Sequence, residues 1–379
     1  MMPPRRVVYV SGTRADFGLM QSTLQLVHAS DSLELGVIVT GMHLDERFGA
    51  TAREVEQAGL NVVARVPVNH SQRDGASTAR NIATMLTGFV DAFTGIKPDM
   101  VVVLGDRGEM LAAAIAAGHM SIPLVHIHGG ERSGTIDEPV RHAISKLSHV
   151  HLVATQESCD RLIRMGEDPW RVHVVGAPGL DGLTALASMS RPQILSALGM
   201  DEQREIALLL YHPVLQEAGD AGEQVEAILE ALLANGVDVF ALKPNSDPGS
   251  ADVLAVLERH ASQGHIKLAT HLARDQFASL LRHADFMIGN SSSGIIEAGT
   301  FGTPVLNIGS RQNLRQRNSN VIDCAAERSA IIEALQRVRT MGRADPANVY
   351  GDGQAGSRIV AVLEGLDLSG KLLDKANAY

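Results

Sequence analysis

Residues 100–127 read MVVVLGDRGEMLAAAIAAGHMSIPLVHI. Five apolar residues, MVVVL (100–104), are followed at once by a glycine and two charges. An alanine-rich stretch at 108–118 then carries a helical pattern, and a second aliphatic run, LVHI (124–127), comes after it. A continuous aliphatic run is the pattern of a strand buried on both faces, the condition of a parallel sheet held between helices. Strand, helix and strand in this order make a βαβ unit.

The same alternation extends in both directions. Apolar runs at 6–10, 35–40 and 62–66 precede this stretch, and runs at 150–154 and 172–175 follow it. Helical patterns at 17–30, 45–59, 78–94 and 140–147 fill most of the gaps. The segment GAPGLDG (176–182) is the richest Gly/Pro punctuation in the middle of the chain and reads as a hinge. A second series then begins, with strand runs at 206–210, 237–242, 265–268, 286–288 and 305–308. Helical stretches lie at 217–235, 251–261 and 274–282, and then at 327–341 and 357–366. The expected architecture is α/β, with two Rossmann-like doubly wound lobes and a cleft between them. The expected boundaries are 1–178 for the first lobe and 179–360 for the second, with 361–379 as a C-terminal helix packing back on the first. Ligands of such sheets bind outside the carboxyl ends of the strands, so the residues just after each strand matter most.

Composition agrees and narrows the partners. The chain has 379 residues, 45% of them apolar and 20% charged, enough for two packed cores. Aromatic residues are only 3% and the formal net charge is −10, a poor match to a nucleic-acid partner. Two cysteines, Cys159 and Cys324, exclude a disulfide framework and the common structural zinc sites. No apolar run approaches 18 residues, and the N-terminus lacks a signal-peptide core. The expectation is a cytoplasmic protein with no membrane partner.

The strand ends carry the chemistry. The first is followed by SGTRADFG (11–18), which is not a GxGxxG fingerprint; Arg14 at a helix start is either an anion grip or the partner of Asp16 or solvent. Asp106 and Arg107 stand at the mouth of the fourth strand as a structural ion pair or as site residues. The fifth strand ends in HIHGGERSGTIDE (126–138). His126 and His128 on one strand face raise the question of zinc, but neither Cys ligands nor an HExxH helix accompany them. Glu131, Asp137 and Glu138 are three carboxylates within eight residues. Crowded carboxylates repel, so at least one is expected to titrate nearer neutrality, as general acid/base work requires; the plain alternative is a solvated loop with Asp137 as N-cap. In the second half, His212 closes one strand and Asn245, in KPNSD (243–247), closes the next. GNSSSGIIE (289–297) ends a strand and opens a helix with small hydroxyl residues, the pattern of a phosphate cradle. Glu297, about one and a half turns into that helix, is placed to meet a ribose diol. Arg311, Arg315 and Arg317 follow the next strand and suit a diphosphate without a metal.

In combination, GTRADFG (12–18), VTGMHLDERFG (39–49), GDR (105–107), HIHGGERSGTID (126–137), RHAISKLSH (141–149), YHP (211–213), PNSD (244–247) and GNSSSGIIEAGTFGTPVLNIGSRQ (289–312) resemble the UDP-N-acetylglucosamine 2-epimerase family, most closely its hydrolysing branch. The resemblance spans positions 12 to 312 in order. It implies the glycosyltransferase-B-like architecture, no metal or nicotinamide cofactor, a UDP-sugar as the small-molecule partner, and a homodimer or homotetramer. It further implies that Ser291, Ser292, Arg311 and Arg14 hold the diphosphate and that Glu297 takes the ribose. Asp106, Arg107, Glu131, Asp137 and His212 would surround the sugar, with Asn245 nearby. The implied chemistry is anti elimination of UDP across C1–C2 to a 2-acetamidoglucal, then hydration with inversion at C2. The main substrate expectation is UDP-N-acetylglucosamine, and the alternative is UDP-2,4-diacetamido-2,4,6-trideoxyglucose of the legionaminic acid pathway. A two-lobe glycosyltransferase and a non-catalytic nucleotide-sugar sensor are the weaker readings. The family often carries a glutamate where this chain has His128.

Overall fold

A computed structural model of the chain describes residues 3–69, 74–133, 137–245 and 247–379. The chain forms two compact units: residues 1–131, 137–181 and 350–379 form the first, and residues 132–136 and 182–349 the second.

The first unit is built on a seven-stranded sheet. Its strands are β1 (Arg5–Ser11), β2 (Leu33–Thr40), β3 (Val62–Val66), β4 (Met100–Leu104), β5 (Leu124–Ile127), β6 (Val150–Val153) and β7 (Val172–Val174), in the order β3-β2-β1-β4-β5-β6-β7. Every neighbouring pair is parallel. The aliphatic runs are explained by two buried faces. Val7, Tyr9, Met100, Val102 and Leu104 pack with Phe17, Leu24 and Ile359 on one side, while Val8, Val10, Val101 and Val103 pack with Met85, Phe89 and Phe93 on the other. Successive strand residues alternate faces, so a strand covered on both sides is mostly aliphatic, and a buried polar residue in it, such as His126 or His151, must be hydrogen-bonded.

The second unit holds β8 (Ile206–Leu210), β9 (Asp238–Leu242), β10 (Ile266–Ala269), β11 (Phe286–Gly289), β12 (Val305–Ile308) and β13 (Val321–Cys324), ordered β10-β9-β8-β11-β12-β13 and again all parallel. Both sheets thus have the doubly wound order. Their reversals fall between β1 and β4 and between β8 and β11, where such sheets bind ligands at the carboxyl ends. No helix among the described residues is long and apolar enough to cross a membrane.

The chain returns to the first unit at Tyr350, earlier than the expected 361. Asp181, the last residue before the crossing, explains the difference. Its carboxylate accepts from the backbone N–H groups of Ala355 (2.9 Å) and Gly356 (2.5 Å), satisfying the start of helix Ala355–Gly365. Ala177 N–H also donates to the Tyr350 carbonyl at 2.7 Å. Residues 350–360 therefore belong with the first sheet.

The C-terminal segment is tied to the end of helix Asp137–Leu147. Lys375 donates to the carbonyls of Ser145 (3.0 Å), Lys146 (3.0 Å) and Ser148 (2.5 Å), and pairs with the buried Glu167 at 2.7 Å. Arg171, itself 1% exposed, donates to the carbonyls of Leu372 and Asp374, both at 2.8 Å. Burial pushes the Glu167 carboxyl upward, but the hydrogen bonds and charges of His151, Lys146 and Lys375 prevail and hold it down at about 2. A carboxyl whose folded pKa lies below its ordinary value stabilises the fold above that ordinary range, and the contribution disappears as pH falls through the folded value. The first unit is therefore expected to lose stability from about pH 4.5 down to about 2 through this group. Lys375→Met is expected to cost about 1.5–3 kcal/mol at pH 7, the range for a hydrogen bond to a charged group. Urea unfolding at pH 7 and pH 4 measures both, and a variant as stable as the parent would exclude a stabilising role for this strap.

Candidate active site

In the first unit the site residues gather at the ends of β4 and β5. Gly105, at φ +81°, turns the chain out of β4 and leaves Asp106 and Arg107 at its mouth. Asp106 is ion-paired with Arg141, on helix Asp137–Leu147, whose guanidinium is 1% exposed. Arg141 also donates to the Glu131 backbone carbonyl at 3.1 Å, so one buried fork holds the loop after β5 to the loop after β4. Asp137 lies four residues before Arg141 and therefore on the same helix face. Arg107 reaches Glu109 Oε1 at 3.3 Å through Nε.

The loop after β5 corrects two expectations. His126 and His128 do not share a strand face, because β5 ends at Ile127 and His128 takes the left-handed conformation at φ +63°. His126 is buried, with Nδ1 against Ser145 Oγ at 3.0 Å and Nε2 against the Gly105 carbonyl at 2.7 Å. Burial lowers its pKa to about 3. The ring is therefore neutral, with Nε2–H donating to the carbonyl and Nδ1 accepting from the serine, and neither nitrogen is open to a metal. Among the described residues, no three His, Cys, Asp or Glu side chains come together as a metal site. Of the three carboxylates read as a mutually crowded group, Glu131 and Glu138 stand beside histidines, and Asp106, outside that group, is paired with an arginine. Glu131 Oε1 lies 2.5 Å from His128 Nδ1, Glu138 lies 3.8 Å from His142, and Asp106 has Arg141. The two glycines between His128 and Glu131 are required by close packing. A Cβ on Gly130 would lie 2.4 Å from the Ser158 carbonyl, and one on Gly129 would lie 2.9 Å from Ser145 Oγ. Residues 134–136 of the same motif lie outside the described residues, as does Ser246 of PNSD.

Arg14 opens helix Arg14–His28 but pairs with Glu54 at 2.8 Å, not with Asp16. Asp16 is buried and closes the capping box with Thr13. The Arg14–Glu54 pair is about one-third exposed, and such a pair contributes little to stability.

In the second unit the ends of β8, β9 and β11 meet. Gly289 sits at φ +130° against β8, and a Cβ there would lie 1.9 Å from the Leu210 carbonyl, so only glycine fits. That approach delivers Asn290, 1% exposed, to His212. Asn290 Oδ1 accepts the His212 backbone N–H at 2.8 Å, and Nδ2 donates to the His212 carbonyl at 2.7 Å. The Asn290 carbonyl accepts from Arg311 Nη1 at 3.1 Å and Gln312 Nε2 at 3.0 Å. His212 Nδ1 accepts the backbone N–H of Asn245 at 3.2 Å, which leaves the proton of the neutral ring on Nε2. The Asn245 side chain is occupied by Asp247.

Ser291 is the N-cap of helix Ser292–Ile296, with Ser292 at its first position. This helix has only five residues, so Glu297 caps its end rather than lying inside it. Glu297 is buried and ion-paired with Arg274. Arg317, expected beside Arg311, instead pairs with Asp323 of β13 at 2.8 Å.

A family model described as UDP-N-acetylglucosamine 2-epimerase matches residues 25–364 of this chain. The chain belongs to the UDP-N-acetylglucosamine 2-epimerase family. It is 44% identical, over 99% of its own length and 100% of the relative's, to a Legionella pneumophila UDP-N,N'-diacetylbacillosamine 2-epimerase (hydrolyzing). It is 34% identical to a Neisseria meningitidis UDP-N-acetylglucosamine 2-epimerase, over 92% of this chain and 91% of that one. It is 35% identical to a Campylobacter jejuni GDP/UDP-N,N'-diacetylbacillosamine 2-epimerase (hydrolyzing), over 85% of each. Its fold matches the crystal structure of a Listeria monocytogenes protein described as a putative UDP-N-acetylglucosamine 2-epimerase, with TM-score 0.80 and 20% identity over the whole of both chains. As a member of this family the chain is an enzyme, a hydrolysing UDP-sugar 2-epimerase.

Three of the epimerase's polar anchors escaped sequence reasoning. Arg141, Arg274 and Asn290 all lie inside segments read as helix or cradle, but their partners Asp106, Glu297 and His212 are 35, 23 and 78 residues away. One signal was present for Asn290, a polar residue directly after a strand-ending glycine.

Proposed function

We propose that this epimerase hydrolyses UDP-2,4-diacetamido-2,4,6-trideoxyglucose, the UDP-diacetylbacillosamine of its relatives, releasing UDP and the corresponding 2,4-diacetamido mannose-configured sugar. The reading rests on one observation, the 44% identity over essentially full length to the Legionella enzyme, against 34% to the Neisseria enzyme named for UDP-N-acetylglucosamine. It reverses the order of substrates expected from the sequence.

The first step is anti elimination. A base removes the C2 proton as the C1–oxygen bond to UDP breaks, giving a C1–C2 double bond. Water then adds at C1, and C2 takes a proton on the opposite face. Inversion at C2 needs two groups, one on each face, and Glu131 and Asp137 are assigned these roles. Asp106, fixed by Arg141, and Arg107 orient the sugar. Ser291, Ser292, Arg311 and Arg14 are assigned to the diphosphate, and Glu297, aligned by Arg274, to the ribose. His212 presents Nε2–H to the departing UDP. Asn245 contributes the backbone N–H that sets this tautomer. No step calls for an oxidant or reductant, because the oxidation level of the sugar is unchanged.

Incubation with each UDP-sugar in D2O, followed by NMR, tests this reading. Free UDP and a C2-deuterated manno product are expected without any acceptor. The diacetamido sugar is expected to have the higher kcat/KM by tenfold or more, since a site built for an acetamido N–H rejects an analogue lacking it strongly. Equal or better use of UDP-N-acetylglucosamine would overturn the substrate assignment. A requirement for an acceptor would indicate a glycosyltransferase.

A further inference from the structure

We infer that Asn290 is a positioning residue, one that fixes the imidazole of His212 to the diphosphate-binding segment without touching substrate itself. The inference rests on the reading of His212 and Ser291–Ser292 given above.

The Asn290 side chain bonds His212 like a neighbouring strand, accepting its N–H at 2.8 Å and donating to its carbonyl at 2.7 Å. Pro213 follows directly, so the backbone at His212 has no ladder of its own to continue. The side chain of Asn290 thus takes over at the point where β8 ends. Its own backbone is also held: N–H donates to the Leu210 carbonyl at 3.0 Å, and the carbonyl accepts from Arg311 and Gln312. Gly289 makes the approach possible, since any side chain there would collide with Leu210. Asn290 therefore connects the backbone of His212 to Arg311 through one buried residue, and Ser291 is the next residue along. With the Asn245 N–H on Nδ1, this clamp leaves His212 one orientation and one tautomer, the Nε2–H donor. A displacement of about 1 Å at such a group is enough to cost on the order of 10²-fold in rate.

Asn290→Ala is expected to lower kcat by about 10- to 100-fold while the Kd for UDP changes less than threefold. Asn290→Asp keeps the shape and the acceptor but loses the donor, and it serves as the second variant should the alanine change impair folding. Thermal unfolding checks that each variant is folded. Added to His212→Asn, the Asn290 change should cost no further activity, because its effect runs through the imidazole. Nitrogen NMR on 15N-histidine protein, with the His212 signal assigned by the His212→Asn variant, should show Nδ1 as the unprotonated nitrogen in the parent and a mixture of tautomers in the Asn290 variants. A parent inactive on all UDP-sugars would defeat the functional reading, and the tautomer measurement would still judge Asn290. Parent-like kcat in folded variants, losses that multiply with His212→Asn, or an unchanged tautomer would overturn the inference.

Discussion

Arg141→Met is expected to lower turnover by at least 10³-fold and to destabilise the first unit by about 3–5 kcal/mol, the usual cost of removing one partner from a buried ion pair. The guanidinium is 1% exposed and has two duties, the ion pair with Asp106 and the bond to the Glu131 carbonyl. Its removal strands a carboxylate and releases the loop that carries Glu131. Asp137, one turn earlier on the same helix, loses its reference to both. Arg141→Lys should keep the charge but recover only part of the activity. A single ammonium does not reproduce two divergent N–H bonds from a rigid plane. UDP affinity should remain within about threefold of the parent, since the residues assigned to UDP lie mainly in the second unit. Initial rates, thermal unfolding and calorimetry with UDP separate these effects. A folded Arg141→Lys enzyme with parent-like turnover would show that the fork is not needed to align the site.

The contrast between what the sequence reveals and what it conceals is physical. Buried parallel strands are aliphatic along most of their length, so MVVVL at 100–104 and IALLL at 206–210 are legible without any partner in view. The edge strand β13, VIDC, is half exposed and pairs on one side only, and it escapes the same test. The helix expected over 45–59 shrinks to Ala52–Gln57, because Gly49 at φ +88° breaks a helical path that hydrophobic spacing alone would allow. At the site, residue types at strand mouths point to Asp106, Glu131, His212 and Ser291, since strand ends are where the fold exposes chemistry. The side chains that orient them are read as ordinary helix or loop residues. Arg141 and Asn290 gain their roles only when distant strands meet, and spacing along the chain carries no record of that meeting.

Proton transfer is expected to fail separately from UDP binding. Glu131→Gln, Asp137→Asn and His212→Asn should each reduce kcat by about 10²–10⁴-fold, the range for loss of a positioned acid or base, with the Kd for UDP nearly unchanged. The C2 proton is weakly acidic, so its removal needs a base in hydrogen-bond reach. Glu131 is buried beside His128 on a loop pinned by two tightly packed glycines, which restricts its carboxylate to a small region. Asp137 stands on the first turn of a helix, a different element from the loop that carries Glu131. If the two act on opposite faces, the variants should fail differently. The one lacking the base should stop before elimination and release no UDP. The one lacking the reprotonating acid should release UDP and accumulate the glucal in stopped reactions. His212→Asn should slow UDP release, because the Nε2–H donor to the leaving group is gone. Assays in D2O with product NMR and quantified UDP resolve all three behaviours. Near-parent turnover in every variant, or a product that retains protium at C2, would overturn this assignment of roles.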